Sequence, residues 1–229
     1  MDLKKEEKAL GSYIGRILRE HFGKGPGSVF ATISHPYITV YIKDFLSPME
    51  HKLMLNGQSK NVENIRDMVM DTLSEEIKTF MRNDLGLDLI EFHYDWNLDS
   101  HSGMFIGVTA NEPDDTDCSY QNQDDVHDVV IKVSKKAEKP PGEIYSCMLN
   151  PRTLVIVRKE ILVAVEKEMI SIGFSEALTL AKRNLEKRLL LQHTTSLETY
   201  LDAKMENAFV SWNFDLDHSL MVFILKPNK

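Results

Sequence analysis

The sequence has few of the features that mark several common classes of protein. Its 229 residues include two cysteines, Cys118 in a polar stretch and Cys147 in an apolar one. Two cysteines placed in this way indicate neither a disulfide framework nor a metal cluster, and they suit a reducing compartment. The chain has no run of about 18 apolar residues and no apolar segment of the secretory type at its N-terminus. We therefore expect a cytoplasmic protein that does not insert into a membrane.

Basic residues are also in deficit. Lys and Arg number 27 against 35 Asp and Glu, which gives a formal net charge of -8. Nucleic-acid binding needs clustered cations that neutralise phosphates, and no basic patch with interleaved aromatic residues offsets the acidic balance. The composition therefore argues against a nucleic-acid partner. Hydrophobic residues make up 42% of the chain, which is ordinary for a globular protein with a packed core.

Tryptophan occurs only twice, and its two copies reveal an internal repeat. The phrase WNLD, with Trp96, returns as WNFD, with Trp212, at an offset of 116 residues. The same offset places Glu50 over Glu166 and Gly57 over Gly173.

We predict two tandem repeats, a first over residues 1–110 and a degenerate second over 126–229. An acidic linker of residues 111–125 would join them, since that stretch is poor in large apolar side chains. Fusion of a homodimer would leave the repeats related by a pseudo-two-fold axis, as an intramolecular pseudo-dimer, and the whole chain could also form a homodimer.

Each repeat is predicted to be an α+β domain, an antiparallel sheet of two β-hairpins covered by a long amphipathic helix. Ser47 and Pro48 mark the start of a short helix that precedes the long one. A helical stripe then follows, with apolar residues at steps of three and four. Its members are Val62, Ile65, Val69, Leu73, Ile77 and Phe80.

The strand after Gly86 alternates apolar and polar residues. Trp96 and the other apolar residues of the alternation are therefore expected in the core, and the polar residues between them in solvent. His93 and Asp95 share the polar face, and Asp99 and His101 follow in or near the turn. This spacing could bind a divalent metal or support acid/base chemistry. The alternative is a solvated strand face, because the second repeat has Phe209 and Ser211 in place of His93 and Asp95.

Asn97 and Asp99 recur as Asn213 and Asp215, and both residue types are preferred in tight turns. The stretch FGKGPGS places Lys24 among glycines, as in a phosphate loop, but it lacks the Walker order and is better interpreted as a helix end. His35 falls in a predicted hairpin turn.

No motif for a nucleophile, a metal or a cofactor is present, so we predict no catalytic residue, no metal site and no cofactor. The candidate ligand-binding residues are Lys24, His35, His93, Asp95, Asp99 and His101. Most of the 11 methionines are expected in the core, with Met70 and neighbouring residues outside the stripe as candidates for a contact surface.

Three segments of the first repeat resemble the MpsC-like family of small bacterial proteins. They are FGKGP at residues 22–26, LSPME at 46–50, and the stretch 86–108 that closes the repeat. The resemblance implies a cytoplasmic protein associated with a membrane system for cation-linked membrane potential and inorganic carbon supply. It brings no established catalytic residues.

We therefore expect a non-enzymatic interaction or regulatory protein whose partner is another protein, such as a membrane-associated transport component. The alternative is a ligand- or metal-binding sensor, or an enzyme, that uses His93, Asp95, Asp99 and His101.

Overall fold

The computed structural model describes residues 3–110 and 118–228, which divide into two compact units. Unit 1 spans Met1–Thr116 and unit 2 spans Asp117–Lys229. Each unit contains helices and a four-stranded antiparallel sheet, which confirms the predicted α+β fold with two sheet-containing halves. Of the predicted linker, residues 111–117 lie outside the described part of the chain.

Unit 1 has the predicted order of elements, and its sheet has the strand order β1-β2-β4-β3. Its elements are α1 (Leu3–Phe22), β1 (Ser28–Ser34), β2 (Tyr37–Lys43), α2 (Pro48–Leu55), α3 (Ser59–Leu85), β3 (Leu89–Asn97) and β4 (Ser102–Thr109). Ser47 caps α2, and the side chain of Glu50 accepts the amide of Ser47 in return. This capping box explains why a helix starts at Pro48.

Unit 2 repeats this arrangement, with the strand order β5-β6-β8-β7. Its elements are α4 (Gln123–Ala137), β5 (Glu143–Asn150), β6 (Thr153–Lys159), α5 (Ala164–Ser171), α6 (Ser175–Leu191), α7 (Thr194–Tyr200), β7 (Ala203–Asn213) and β8 (His218–Pro227). The long helix of unit 1 corresponds here to two shorter helices, α6 and α7.

The two units agree in position as well as in strand order. The elements β2 and β6 begin 116 residues apart and end 116 residues apart, and so do α2 and α5. Residues with left-handed backbone conformation recur at the same offset, Asp44 with Glu160 and His101 with Asp217. These agreements are the basis for the duplication that we propose below.

The core of unit 1 lies between its helices and one face of its sheet. Leu10, Ile14 and Leu18 of α1 are fully buried there, together with Ile38 and Ile42 of β2. None of the helices in the described ranges combines the length and the apolar character that a bilayer crossing requires.

The buried stripe of α3 differs from the predicted one in its first half. Ile65 is 43% exposed and Val69 is half-buried, whereas Arg66 and Met70 are fully buried. The expectation that Met70 belongs to a contact surface is therefore wrong. A stripe that follows apolar residues alone cannot include Arg66, whose burial depends on a partner from another helix.

Trp96 is buried, as predicted, and its ring packs beside the rings of Phe45 and Phe105. Gly103 faces Trp96 from the neighbouring strand β4. A Cβ atom at position 103 would overlap the six-membered ring of Trp96. The absence of a side chain at Gly103 thus makes room for the largest residue of the core.

The substitution Gly103→Ala should destabilise unit 1 by about 1–3 kcal/mol, because a methyl group in this packed core forces the indole to move. Chemical denaturation followed by circular dichroism would measure the loss. Gly15→Ala is the matched control, since a Cβ at Gly15 would lie 3.8 Å from Val29 in ordinary contact. The control should be neutral or stabilising in helix α1, and equal effects of the two changes would contradict the packing argument.

Candidate functional site

His93 and Asp95 lie on β3, but the face that carries them is not solvated. They are 5% and 0% exposed, so the expectation of a solvent-facing polar side is wrong. His93 Nε2 lies 3.1 Å from Glu91 Oε2, and Asp95 Oδ1 accepts a hydrogen bond from the Trp96 amide at 2.8 Å. Alternation separates the two faces of a strand, but it does not decide which of them meets solvent.

Asp99 and His101 lie in the turn between β3 and β4. Asn97 Oδ1 accepts the amide of Ser100 at 3.2 Å, as expected for a turn residue, and Asn213 Oδ1 accepts the amide of Leu216 at the same distance in unit 2. His101 contributes its carbonyl, which accepts the amide of Phe45 at 2.7 Å. His93 and Asp95 are therefore buried within β3, while Asp99 and His101 belong to the turn.

Lys24 and His35 are placed at two other points of unit 1. Lys24 follows Gly23, which ends α1 with a φ of 71°, and its Nζ donates to the carbonyl of Leu46 at 2.9 Å. His35 occupies the turn between β1 and β2, where its Nδ1 lies 3.1 Å from Thr109 Oγ1. The structure thus distributes the six candidate residues over separate local contacts.

A buried ion pair that was not predicted joins α2 to α3. Arg66 is 0% exposed and Glu50 is 5% exposed. Arg66 Nε and Nη2 donate to the two oxygens of Glu50 at 2.7 and 3.2 Å, and Nη2 also donates to the carbonyl of Phe45 at 2.9 Å. Burial alone would raise the pKa of Glu50, but the hydrogen bonds and charge of Arg66, together with Ser47, hold that pKa below its usual value.

The guanidinium of Arg66 is also enclosed by aromatic rings. Its central carbon lies 4.6 Å from the ring centre of Trp96, 4.9 Å from that of Phe45 and 6.0 Å from that of Phe22. Such cation–π contacts stabilise a desolvated cation. Because the group is closed to solvent, its role in unit 1 is to hold α2, α3 and β3 together.

Unit 2 holds a related group at an offset of 116 residues. Lys182 takes the place of Arg66, and its Nζ donates to Glu166 Oε1 at 2.8 Å and lies 5.6 Å from the ring centre of Trp212. Glu166, in the place of Glu50, also accepts the amide of Val163 at 2.9 Å. A cation repeated at the offset of the two tryptophans was a signal in the sequence that could have identified this pair.

A shallow cleft of about 520 Å³ lies between α1 and α3 of unit 1. Its floor is the stacked pair of Tyr13 and Phe80, with ring centres 3.8 Å apart. The other lining residues are Arg16, Glu75, Glu76, Thr79 and Asp84. Burial raises the pKa of Tyr13, and the carboxylate of Glu76 acts in the same direction, so the phenol stays protonated and donates to the Glu76 carbonyl at 3.3 Å.

Large apolar side chains are exposed on the helical pair of α2 and α3. Met49 is 71% exposed, Leu55 is 74% exposed and Met68 is 72% exposed, and Ile65 lies on the same pair. Because α2 and α3 form a helical hairpin, we call these four exposed residues, Met49, Leu55, Ile65 and Met68, the hairpin surface. Side chains of this size are mostly withdrawn from water in globular proteins, and methionine suits an adaptable contact surface.

A disulfide bond joins Cys118 to Cys147 of β5, so the expectation that the cysteines form no disulfide is wrong. The same segment is held to β5 by Tyr120, whose hydroxyl lies 2.8 Å from Ser146 Oγ. Burial raises the pKa of Tyr120 to about 12. A separation of 29 residues in the sequence did not indicate that this segment returns to the sheet.

Comparison with known proteins identifies a family for the first unit. Residues 3–111 match the family described as "Na+-translocating membrane potential-generating system (MpsC)". This match confirms the resemblance that the sequence motifs indicated. No curated protein and no solved structure matches the chain.

The substitution Arg66→Met should destabilise unit 1 by about 3–5 kcal/mol, because it leaves the carboxylate of Glu50 buried without its counter-charge. Equilibrium denaturation would measure the loss, and the double variant Arg66→Met/Glu50→Gln should recover part of it. Arg82→Met is the matched control, since the ion pair of Arg82 with Asp88 is largely exposed and should contribute at most about 1 kcal/mol. Equal losses for the two arginines would contradict the assigned role.

Reduction of the disulfide should destabilise unit 2 by roughly 3–4 kcal/mol, since the cross-link restricts the unfolded chain between two distant positions. Denaturation with and without a reductant would measure the difference. The double variant Cys118→Ser/Cys147→Ser should resemble the reduced protein and should not respond to the reductant. A wild-type protein that is equally stable in both conditions would contradict the prediction.

Proposed function

Because the first unit matches the MpsC family, we propose that the protein is a non-enzymatic accessory component of a membrane ion-translocating system. It would act by binding a protein component of that system. The family description supplies the membrane system. The observation that carries the binding role is the hairpin surface, with three apolar side chains each more than 70% exposed on one helical pair.

The hairpin surface has the properties of a protein contact surface. Its residues contribute little to the core of unit 1. Because they are exposed, their apolar side chains do not stabilise the fold by burial, and polar residues would serve the fold equally well. The two helices that carry it are joined by the buried Glu50–Arg66 ion pair, which favours a preformed surface. A preformed surface loses little conformational entropy when it binds.

Unit 2 presents exposed apolar residues at the corresponding place. The exposed residues are Val165 on α5 and, between α5 and α6, Ile172 and Phe174. Val165 lies 116 residues after Met49 of the hairpin surface. We propose that the two units arose by tandem duplication and that both contact the partner through these helical pairs. Two linked contacts would raise the overall affinity without any new interaction at either one.

The placement of the candidate residues supports a role without catalysis. A general acid or base must lie within hydrogen-bond reach of the proton that it transfers. His93 and Asp95 are buried, and Asp95 already accepts the amide of Trp96. Asp99 and His101 are in the turn beyond the strand. This distribution favours the binding role over the sensor or enzyme alternative.

Replacement of the three most exposed residues of the hairpin surface should abolish partner binding and leave the fold intact. The triple variant Met49→Ser/Leu55→Ser/Met68→Ser removes exposed side chains, so its stability should change by no more than about 0.5 kcal/mol per residue. Tagged wild-type and variant proteins would be incubated with detergent-solubilised native membranes. Quantitative mass spectrometry would then compare the recovery of components of the ion-translocating system.

Leu3→Ser/Ile90→Ser is the matched control, because both residues are exposed apolar side chains outside the hairpin surface. We expect the wild type and the control to recover the same transport component and the triple variant to lose most of it. Equal recovery by all three proteins, or recovery of no transport component by the wild type, would refute the proposal.

A further inference from the structure

Unit 2 contains a buried ion pair, Arg158 with Glu186, at positions that correspond to the apolar residues Ile42 and Met70 of unit 1. Arg158 on β6 is fully buried, and its Nη2 donates to Glu186 Oε2 on α6 at 2.7 Å. Its Nη1 donates to Ser134 Oγ on α4 at 2.8 Å, and its Nε donates to Ser219 Oγ on β8 at 2.9 Å. The position of Arg158 in unit 1 is held by Ile42, which is an ordinary core residue.

Lys182, on the same helix as Glu186, binds two further carboxylates. It lies one helical turn before Glu186 on α6, and its Nζ contacts both Glu166 of α5 and Glu138, which follows the last turn of α4. The side chains of Lys182, Glu166 and Glu138 are all less than 10% exposed. The ammonium group of Lys182 on α6 therefore joins α6 to α5 and to the end of α4.

Acids outnumber cations in these ion pairs of unit 2. Three carboxylates, Glu138, Glu166 and Glu186, share the two cations Arg158 and Lys182. In unit 1 the corresponding count is one carboxylate, Glu50, to one cation, Arg66. An extra negative charge in a buried site is costly, and the site can avoid the cost by binding a proton.

From this imbalance we propose that the carboxyl group of Glu138 is a proton-binding site in unit 2. The carboxyl group of Glu138 takes the proton because its neighbours differ from those of the other two acids. Glu186 receives a hydrogen bond from Arg158, and Glu166 receives hydrogen bonds from Lys182 and from the Val163 amide. Glu138 faces the repulsion of Glu186 and shares Lys182 with Glu166.

The electrostatics of Glu138 agree with this geometry. Burial is the largest effect and raises its pKa to about 7, the negative charge of Glu186 acts in the same direction, and Lys182 opposes both. Arg183 also lies on α6 and is buried, and Lys135 and Lys136 on α4 are exposed to solvent. Protonation of Glu138 would leave Lys182 paired with Glu166 alone, so the attachment of α4 to α5 and α6 would depend on pH.

The direction of the effect on stability follows from the raised pKa. Since the folded state holds the proton more tightly than the unfolded chain, the stabilising contribution is fully present below the ordinary value of 4.5. It is lost as the pH rises through about 7. The thermal midpoint of the wild type should therefore fall between pH 5 and pH 8 relative to that of a variant in which residue 138 cannot ionise.

Titration of the ¹³C-labelled full-length protein by NMR would test the site directly. We expect one glutamate carboxyl resonance to titrate with a midpoint near 7 and to be missing in Glu138→Gln. The amide imitates the neutral acid, so this variant should also lose the fall in thermal midpoint between pH 5 and pH 8. Glu176→Gln, an exposed change of equal charge on α6, should behave like the wild type.

A second variant keeps the test decisive if Glu138→Gln does not fold. Glu186→Gln removes the repelling charge but keeps an oxygen that can accept from Arg158, so the midpoint of Glu138 should move to lower pH. A glutamate titration confined to the ordinary range of about 4–5 in the wild type, or a midpoint that Glu186→Gln leaves unchanged, would overturn the proposal.

Discussion

A positive charge buried between a carboxylate and a tryptophan connects elements that share no backbone hydrogen-bond ladder. In unit 1 this charge is Arg66, which joins α2 through Glu50 and β3 through the ring of Trp96. Neither ion could be buried alone, because a desolvated charge needs a counter-ion and satisfied hydrogen bonds. These contacts attach the helical pair α2–α3 to the sheet, and the same two helices carry the exposed residues Met49, Leu55 and Met68.

Unit 2 keeps this principle but differs in its chemistry. Lys182 replaces Arg66, and an ammonium group lacks the planar fork with which a guanidinium binds a carboxylate at two points. Its Nζ instead contacts two carboxylates, Glu138 and Glu166. The added pair of Arg158 and Glu186 enlarges the buried ionic group, and the difference in net charge follows from these substitutions. The proposed contact surface of unit 1 and the proposed proton site of unit 2 thus belong to equivalent regions of two units with the same pattern of strand order.

Much of the fold could be predicted because its signals are local. The glycine that ends α1, the capping residues of α2 and the aromatic alternation of β3 each depend on residues close in the chain. The burial of Trp96 and Trp212 followed from the strand pattern in the same way. The stripe of α3 was predicted only in part, since Arg66 looks like a surface residue until Glu50 is placed beside it. The disulfide and the burial of His93 and Asp95 involve contacts that sequence spacing does not encode.

Three properties can be read from the amino-acid sequence alone: the order of the elements in the first unit, the 116-residue offset between the two tryptophans and the resemblance of the first unit to the MpsC family. These properties depend on periodicity and short motifs, which are written along the chain. Which polar groups are buried together depends on the folded chain. Desolvation and charge pairing depend on distances between residues that are remote in sequence, such as Arg158 and Glu186 or Cys118 and Cys147. For that reason the ionic groups that define both units became visible only after the chain was folded.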